Sequence, residues 1–414
     1  MIDIDTTNLV PQERLLANGN PLYCFYSDAV ELVKVDFSFE AGSCYQPKLL
    51  VAAATASLIG EGTARHSATE IAEFMDFRGI VIERNPDVTT PTITFYTLKK
   101  FLSELIPWMH EILTQSVFPQ EEFDVYVAKH RRQLMAQRLK TSAVAMTAAY
   151  EALYGKDHML GRYALPEDYD RLTVEDVRDF YAQRYHLGGA HIVIAGNYDD
   201  EHLEQIDSLF GGYPPMKPDL RSLAVAQPMK GGVQRVPLEG AVQSSIRIGR
   251  ILPMDWDSEE YAKFLVLTTL LGGYMGSRLM ASVREEKGYT YGISAHTHIY
   301  RGSIVFFITT DVGAQVTDLA VEEIFRQIEL LRTEPVAEEE LALVCSVMEG
   351  DFIRSIDGIF ERSERYRQMY STGITERFRE RYFEALASIA PADIQALAQR
   401  YLDPQELNLT ICGN

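Results

Sequence analysis

The sequence predicts an α+β protein of two similar domains from an internal duplication, each a β-sheet layered with helices, and three observations carry that prediction. The first is a repeat: AQRY at Ala182 recurs at Ala398, an offset of 216, and GN at Gly196 recurs at Gly413, an offset of 217. Each copy is a helix of about three turns followed by a short apolar strand, so each half closes with the same unit. The second is the grouping of helices outside runs of strands, which favours α+β layers. The third is length and punctuation. At 414 residues the chain has room for more than one domain. Between Gly211 and Gly232 lie Pro214, Pro215, Pro218 and Pro228 with few apolar residues. The expected division is therefore a domain over 1–213, a linker over 214–231 and a second domain over 232–414.

In chain order, Leu32 to Glu40 alternates apolar and polar residues and predicts a strand before the turn at Gly42. Pro47 is expected to open a helix whose LLVAAATASLIG is apolar nearly all round, hence buried. Ser67 and Glu70 form a capping box before EIAEFMDFRG, with Gly79 as its stop. Strands follow at Ile80 to Arg84 and Thr92 to Thr97, then a helix, FLSELIPWMHEILTQ, that Pro107 is expected to kink. A long helical region runs from Gln120 to Tyr154, and a helix from Thr173 leads to a strand ending at Ala195. The second half repeats the plan. It has a strand from Val242 to Ile251, a helix from Ser258 to Leu271, strands at Tyr289 to Ile299 and Ser303 to Thr310, and long helices from Val316.

Composition narrows the function. Thirty-nine Lys and Arg against 59 Asp and Glu give a net charge of −20, which argues against a surface for nucleic acid. The start, MIDIDTTNLVPQERLL, lacks the basic and apolar regions of a signal peptide, and no run approaches a membrane span. A cytoplasmic protein without membrane contact is expected. Cys24, Cys44, Cys345 and Cys412 are scattered without C-x-x-C spacing, so buried thiols are expected rather than disulfides or a cysteine zinc site. His296 and His298 lie two apart on a predicted strand and share one face, but no third ligand is near them in sequence. A solvated strand face is the simpler account. His66 and His110 are read as packing or surface residues. No nucleophile elbow, P-loop or dinucleotide fingerprint occurs where a strand leads into a helix.

The most informative stretch is Leu271 to Gly292, LGGYMGSRLMASVREEKGYTYG. Gly272, Gly273 and Gly276 loosen the backbone between two helical runs, and Ser277 is expected to cap the second with its hydroxyl. Leu279 and Val283 share the apolar face, and Gly288 provides a left-handed stop. Arg284 then lies in the last helical turn and Tyr291 near the start of a strand, so the bend can bring both polar tips together. This pattern resembles the pitrilysin or insulinase family of zinc metallopeptidases, in its small bacterial and mitochondrial-processing-peptidase-like branch. The residues that match are Gly272, Gly273, Ser277, Arg278, Leu279, Arg284, Glu285, Gly288 and Tyr291. The resemblance spans essentially the full chain and implies the family's half-shell fold. It also implies that Arg284 and Tyr291 bind substrate backbone opposite a zinc ion.

What the resemblance further requires is missing. Members that cut peptides carry H-x-x-E-H on a helix of the first half, two histidines for zinc and a glutamate to activate water. Registered on Gly62 and Thr63, those five positions are Ala53 to Ser57 and read A-A-T-A-S, so Ala53, Ala56 and Ser57 stand at a degenerate zinc motif. The distal carboxylate ligand would fall near Gln137 or Arg138, and no carboxylate lies between Asp124 and Glu151. No metal or other cofactor is therefore expected on this chain. The resemblance implies a non-catalytic, substrate-binding subunit of a heterodimeric zinc peptidase. Its sister subunit would hold the zinc, and peptide or unfolded polypeptide would be the substrate. A structural or scaffold subunit, an autonomous metallopeptidase with an unrecognised metal site, and a homodimer in isolation remain as alternatives.

Overall fold

The computed structural model describes residues 10–225 and 231–413. Expectations for residues 1–9, for 226–230 with Pro228 of the linker, and for Asn414 fall outside the described residues. The fold is α+β and contains two mixed sheets. The first has strands β1 (Gln12–Leu15), β2 (Pro21–Tyr26), β3 (Leu32–Ser38), β4 (Val81–Asn85), β5 (Thr92–Leu98) and β6 (His191–Gly196), in the order β1-β2-β6-β3-β5-β4. The second has β7 (Gly232–Pro237), β8 (Gln243–Leu252), β9 (Thr290–Tyr300), β10 (Ser303–Gly313) and β11 (Asn408–Gly413), in the order β7-β11-β8-β10-β9.

With β1 set aside, the two orders are the same. In each half the first strand runs parallel to the last, β2 with β6 and β7 with β11. All the other pairings are antiparallel in both. The repeated helix-strand unit read from the sequence thus supplies the inner strand of each sheet. Each sheet packs its apolar face on its own helices, and two separate apolar cores result.

The outer faces are covered by exchange. The helix Thr141–Tyr154 lies on the second sheet, where Ala149, Leu153 and Tyr154 pack with Ile251, Val305 and Phe307. Its counterpart Ile359–Thr372 lies on the first sheet, where Ile359, Phe360 and Tyr366 meet Phe25, Val193 and Ala195. This explains a feature of β3 that alternation alone misses: Val33, Val35 and Phe37 are buried, and so are Lys34, Asp36 and Ser38 on the opposite face. Lys34 Nζ lies 2.9 Å from Asp36 Oδ2 and 3.4 Å from Glu364 Oε2 of the covering helix.

Several local expectations are corrected. The region from Gln120 to Tyr154 is two helices, Gln120–Gln137 and Thr141–Tyr154, broken where Lys140 turns extended and Leu139 is 78% exposed. That break sends the second helix across to the other sheet. The helix expected at Pro47 starts at Val51, because Leu50 before it takes a left-handed backbone with φ of 74°. Described residues of the linker form neither helix nor strand but are tied to both halves: Arg221 Nη1 donates to the Cys44 carbonyl at 3.0 Å, and Leu223 N to the Arg301 carbonyl at 2.6 Å. Cys24 and Cys412 are buried thiols, whereas Cys44 and Cys345 are only partly buried. Strands β1, β2 and β7 are additional to those read from the sequence.

Candidate functional site

The glycine-rich stretch forms one wall of an open cleft of about 890 Å³ in the second half. The helix Glu259–Thr268 continues into a widened, π-type turn over Thr269–Gly273, and Gly272 leaves helical geometry with φ of −160°. Gly272 is required by contact: a Cβ there would lie 2.6 Å from the Ala295 amide nitrogen of β9. The backbone can therefore lie directly on the strand.

The next helix is also widened over Met280–Glu286. The Lys287 N–H reaches the Ser282 carbonyl at 3.0 Å, and the Tyr289 N–H reaches back to Val283 at 3.0 Å around Gly288, whose φ is 65°. The predicted stop at Gly288 is present, as is the buried face of Leu279 and Val283. The predicted cap is not. Ser277 begins the helix through its backbone, its carbonyl accepting from Ala281 N at 2.9 Å, while its hydroxyl is buried without a hydrogen-bond partner among the described residues.

Tyr291 owes its position to a β-bulge. Thr310 pairs with Ile293 and Val312 with Thr290, so Tyr291 and Gly292 together oppose the single residue Asp311. A bulge re-aims side chains at the end of a strand, and Tyr291 is 95% exposed at the mouth of the cleft. Threonines fasten it. Thr290 Oγ1 donates to the Asp311 carbonyl at 2.8 Å, and Thr310 Oγ1 lies 2.9 Å from Thr290 Oγ1. Arg284 lines the same cleft, its Nη1 3.7 Å from Met275 Sδ, and it makes no ion pair among the described residues. Gly272 and Gly273 line it too, whereas Gly276 stands beside the Tyr274 ring rather than on the cleft wall. The cleft floor adds Arg247, whose Nη1 lies 3.2 Å from Asp311 Oδ1. Sequence reading passed over Arg247, though an arginine inside the apolar strand SSIRIGRIL was the available signal.

In the first half the helix Val51–Leu58 carries Ala53, Ala56 and Ser57. Ala56 is buried, and Ser57 hydrogen-bonds the phenol of Tyr126, whose pKa burial raises. Two methyl groups and a hydroxyl already engaged make no first shell for zinc, so the residues here do not fit that ion. Among the described residues no group of three His, Cys, Asp or Glu side chains lies close enough to hold a metal. Gln137 and Arg138 are not brought to this helix. Tyr126 is, and Gln137 lies eleven residues further on, about 16 Å along the axis at 1.5 Å per residue. Both line a separate cleft of about 500 Å³ with Glu151 and Gln234. His66 and His110 are structural, as expected: His66 Nδ1 lies 2.7 Å from Glu111 and His110 Nε2 2.7 Å from Tyr213 Oη. His296 and His298 sit on one exposed face of β9.

The chain is similar to known proteins in sequence and in fold. A family profile described as the peptidase M16 inactive domain matches residues 171–348. A Bacillus subtilis protein, uncharacterized zinc protease YmxG, is 23% identical over 74% of either chain. A Helicobacter pylori protein, non-peptidase homolog YmxG, is 20% identical over 63% of this chain and 60% of its own length. In fold, the chain is similar to a peptidase M16 inactive domain from Pseudomonas fluorescens, with a TM-score of 0.86 at 18% identity over 97% of this chain and 98% of that one.

Proposed function

We propose that this chain, which is similar to the M16 peptidase family and lacks its zinc motif, is a non-catalytic, substrate-holding subunit that presents Arg284 and Tyr291 to the active site of a partner carrying H-x-x-E-H. The observation that supports this reading most is that both side chains line one open cleft and neither holds the fold together. Tyr291 is almost wholly exposed, and Arg284 is without an ion pair among the described residues. Such a pair has a chemical use. A guanidinium and a phenol O–H aimed at a peptide carbonyl can stabilise the negative charge that develops on its oxygen, whichever chain activates the water. Water activation belongs to the partner's zinc motif. A cleft of about 890 Å³ has room for a short stretch of peptide.

No helix among the described residues is long and apolar enough to cross a membrane. The test is reconstitution with a sister chain that carries H-x-x-E-H. Peptide hydrolysis is expected from the mixture and not from this chain alone, and elemental analysis of this chain is expected to find no stoichiometric zinc. About one zinc per chain, with hydrolysis lost on chelation, would contradict the reading. Full activity of the sister chain alone would favour a structural subunit instead.

A further inference from the structure

Outside the cleft, a cluster of arginines is gathered around a small pocket in this otherwise acidic protein. Arg362, Arg365 and Arg379 line it together with Tyr366 and the first turn of the helix Glu376–Ser388, represented by Thr375 and Glu376. Positive charge is in excess there, three arginines against one glutamate. Glu376 forms an ion pair with Arg379 at 3.3 Å. Arg362 gives its Nε to the Ile356 carbonyl at 2.9 Å and forms no ion pair among the described residues. The guanidinium carbon of Arg365 lies over the Phe352 ring, 4.4 Å from its centroid, and Arg365 has neither a hydrogen bond nor an ion pair among the described residues. Burial lowers the pKa of Arg365 and Arg379 adds to that, against the opposing effects of Tyr382 and Glu376.

Three guanidiniums against the single carboxylate of Glu376 leave positive charge in excess in a partly enclosed site, which is costly unless an anion joins them. The first turn of the helix offers backbone N–H groups and the positive end of its dipole to the same space. The cavity volume is about 30 Å³, room for two water centres or one compact ion and not for a nucleotide. We propose that this pocket binds a single phosphate-class oxyanion, clasped by Arg362 and Arg365 against the first turn of Glu376–Ser388. A planar fork of donors suits such an anion. Since Tyr366, on the helix that covers the first sheet, lines the same pocket, a bound oxyanion would also brace that helix against Glu376–Ser388.

The experiment uses the full chain, with inorganic phosphate as probe and chloride and acetate at matched ionic strength as controls, read by calorimetric titration and thermal shift. Phosphate is expected to bind saturably and raise Tm with concentration. Arg365→Gln and Arg362→Gln are each expected to weaken it about tenfold or more, the scale for losing one charge-assisted contact. Glycerol phosphate separates the sources: no binding assigns the site to the free ion, and equal binding assigns it to the phosphoryl end of a larger ligand. Both results uphold the oxyanion site. If Arg365→Gln does not fold, Arg362→Gln and the line width of phosphorus resonance with wild-type protein decide. Equal stabilisation by acetate or chloride, or phosphate affinity unchanged in the variants, would overturn the proposal.

Discussion

At Tyr291 the residue and its backbone are separable, and so are their effects. The bulge against Asp311 aims the side chain and the threonine contacts hold the bulge, so the ring adds little to folding. Neighbouring positions test the same local geometry. Gly288→Ala meets no atom within 4 Å, and its cost is the left-handed backbone alone, about 1 kcal/mol in chemical denaturation. Ser277→Ala is expected to be neutral or stabilising by up to about 1 kcal/mol, because the buried hydroxyl has no partner to lose. A loss of stability comparable with that of a helix cap would restore the capping role that the sequence suggested. Helix, stop and strand around Arg284 were legible because glycine, apolar spacing and β-branched residues act locally. The unused cap and the bulge were not, since the one depends on how the Ser277 hydroxyl is buried and the other on the register of β9 against β10.

Among the elements, the exchanged helices carry most of what the sequence concealed. The alternation from Leu32 to Glu40 correctly gave a strand, but the burial of Lys34 and Asp36 had no local sign, because their cover, Ile359–Thr372, lies more than three hundred residues away. The same interface buries His191. Its ring stacks on Tyr370 at 3.9 Å and on Tyr23 at 4.8 Å, Nδ1 has no partner, and burial with the Arg367 charge pushes its pKa down to about 3. Glu364 on the covering helix would be raised by burial, but Arg367 and Lys34 outweigh that and hold it down to about 2. For His191 the unfolded chain binds the proton first, so stability is complete above about pH 6.5 and falls as pH drops towards 3. Between pH 6.5 and 5 the loss should approach about 2 kcal/mol in urea titrations, and His191→Phe should flatten it. An unchanged slope in that variant would place the titration elsewhere.

For the whole molecule, the duplication was readable because both copies of the closing helix and strand keep their apolar pattern. The strand order repeats accordingly, while the exchange between halves had no local signature. That exchange makes the halves interdependent. Heating is expected to give one cooperative transition by calorimetry, and residues 1–213 expressed alone should bind hydrophobic dye, because Leu153 and Tyr154 would lose the second sheet. Two separate transitions would contradict this. The degenerate zinc motif was legible as well, since A-A-T-A-S places two methyl groups and a hydroxyl where the resemblance calls for histidines. The central claim, that the cleft acts on a partner's substrate, is met most directly by one comparison: peptide hydrolysis by the complex of this chain with its zinc-bearing sister, wild type against Tyr291→Phe, at equal complex concentration. The account predicts a fall of about 10²-fold with Tm unchanged, the scale for removing one oxyanion donor, and equal rates would contradict it.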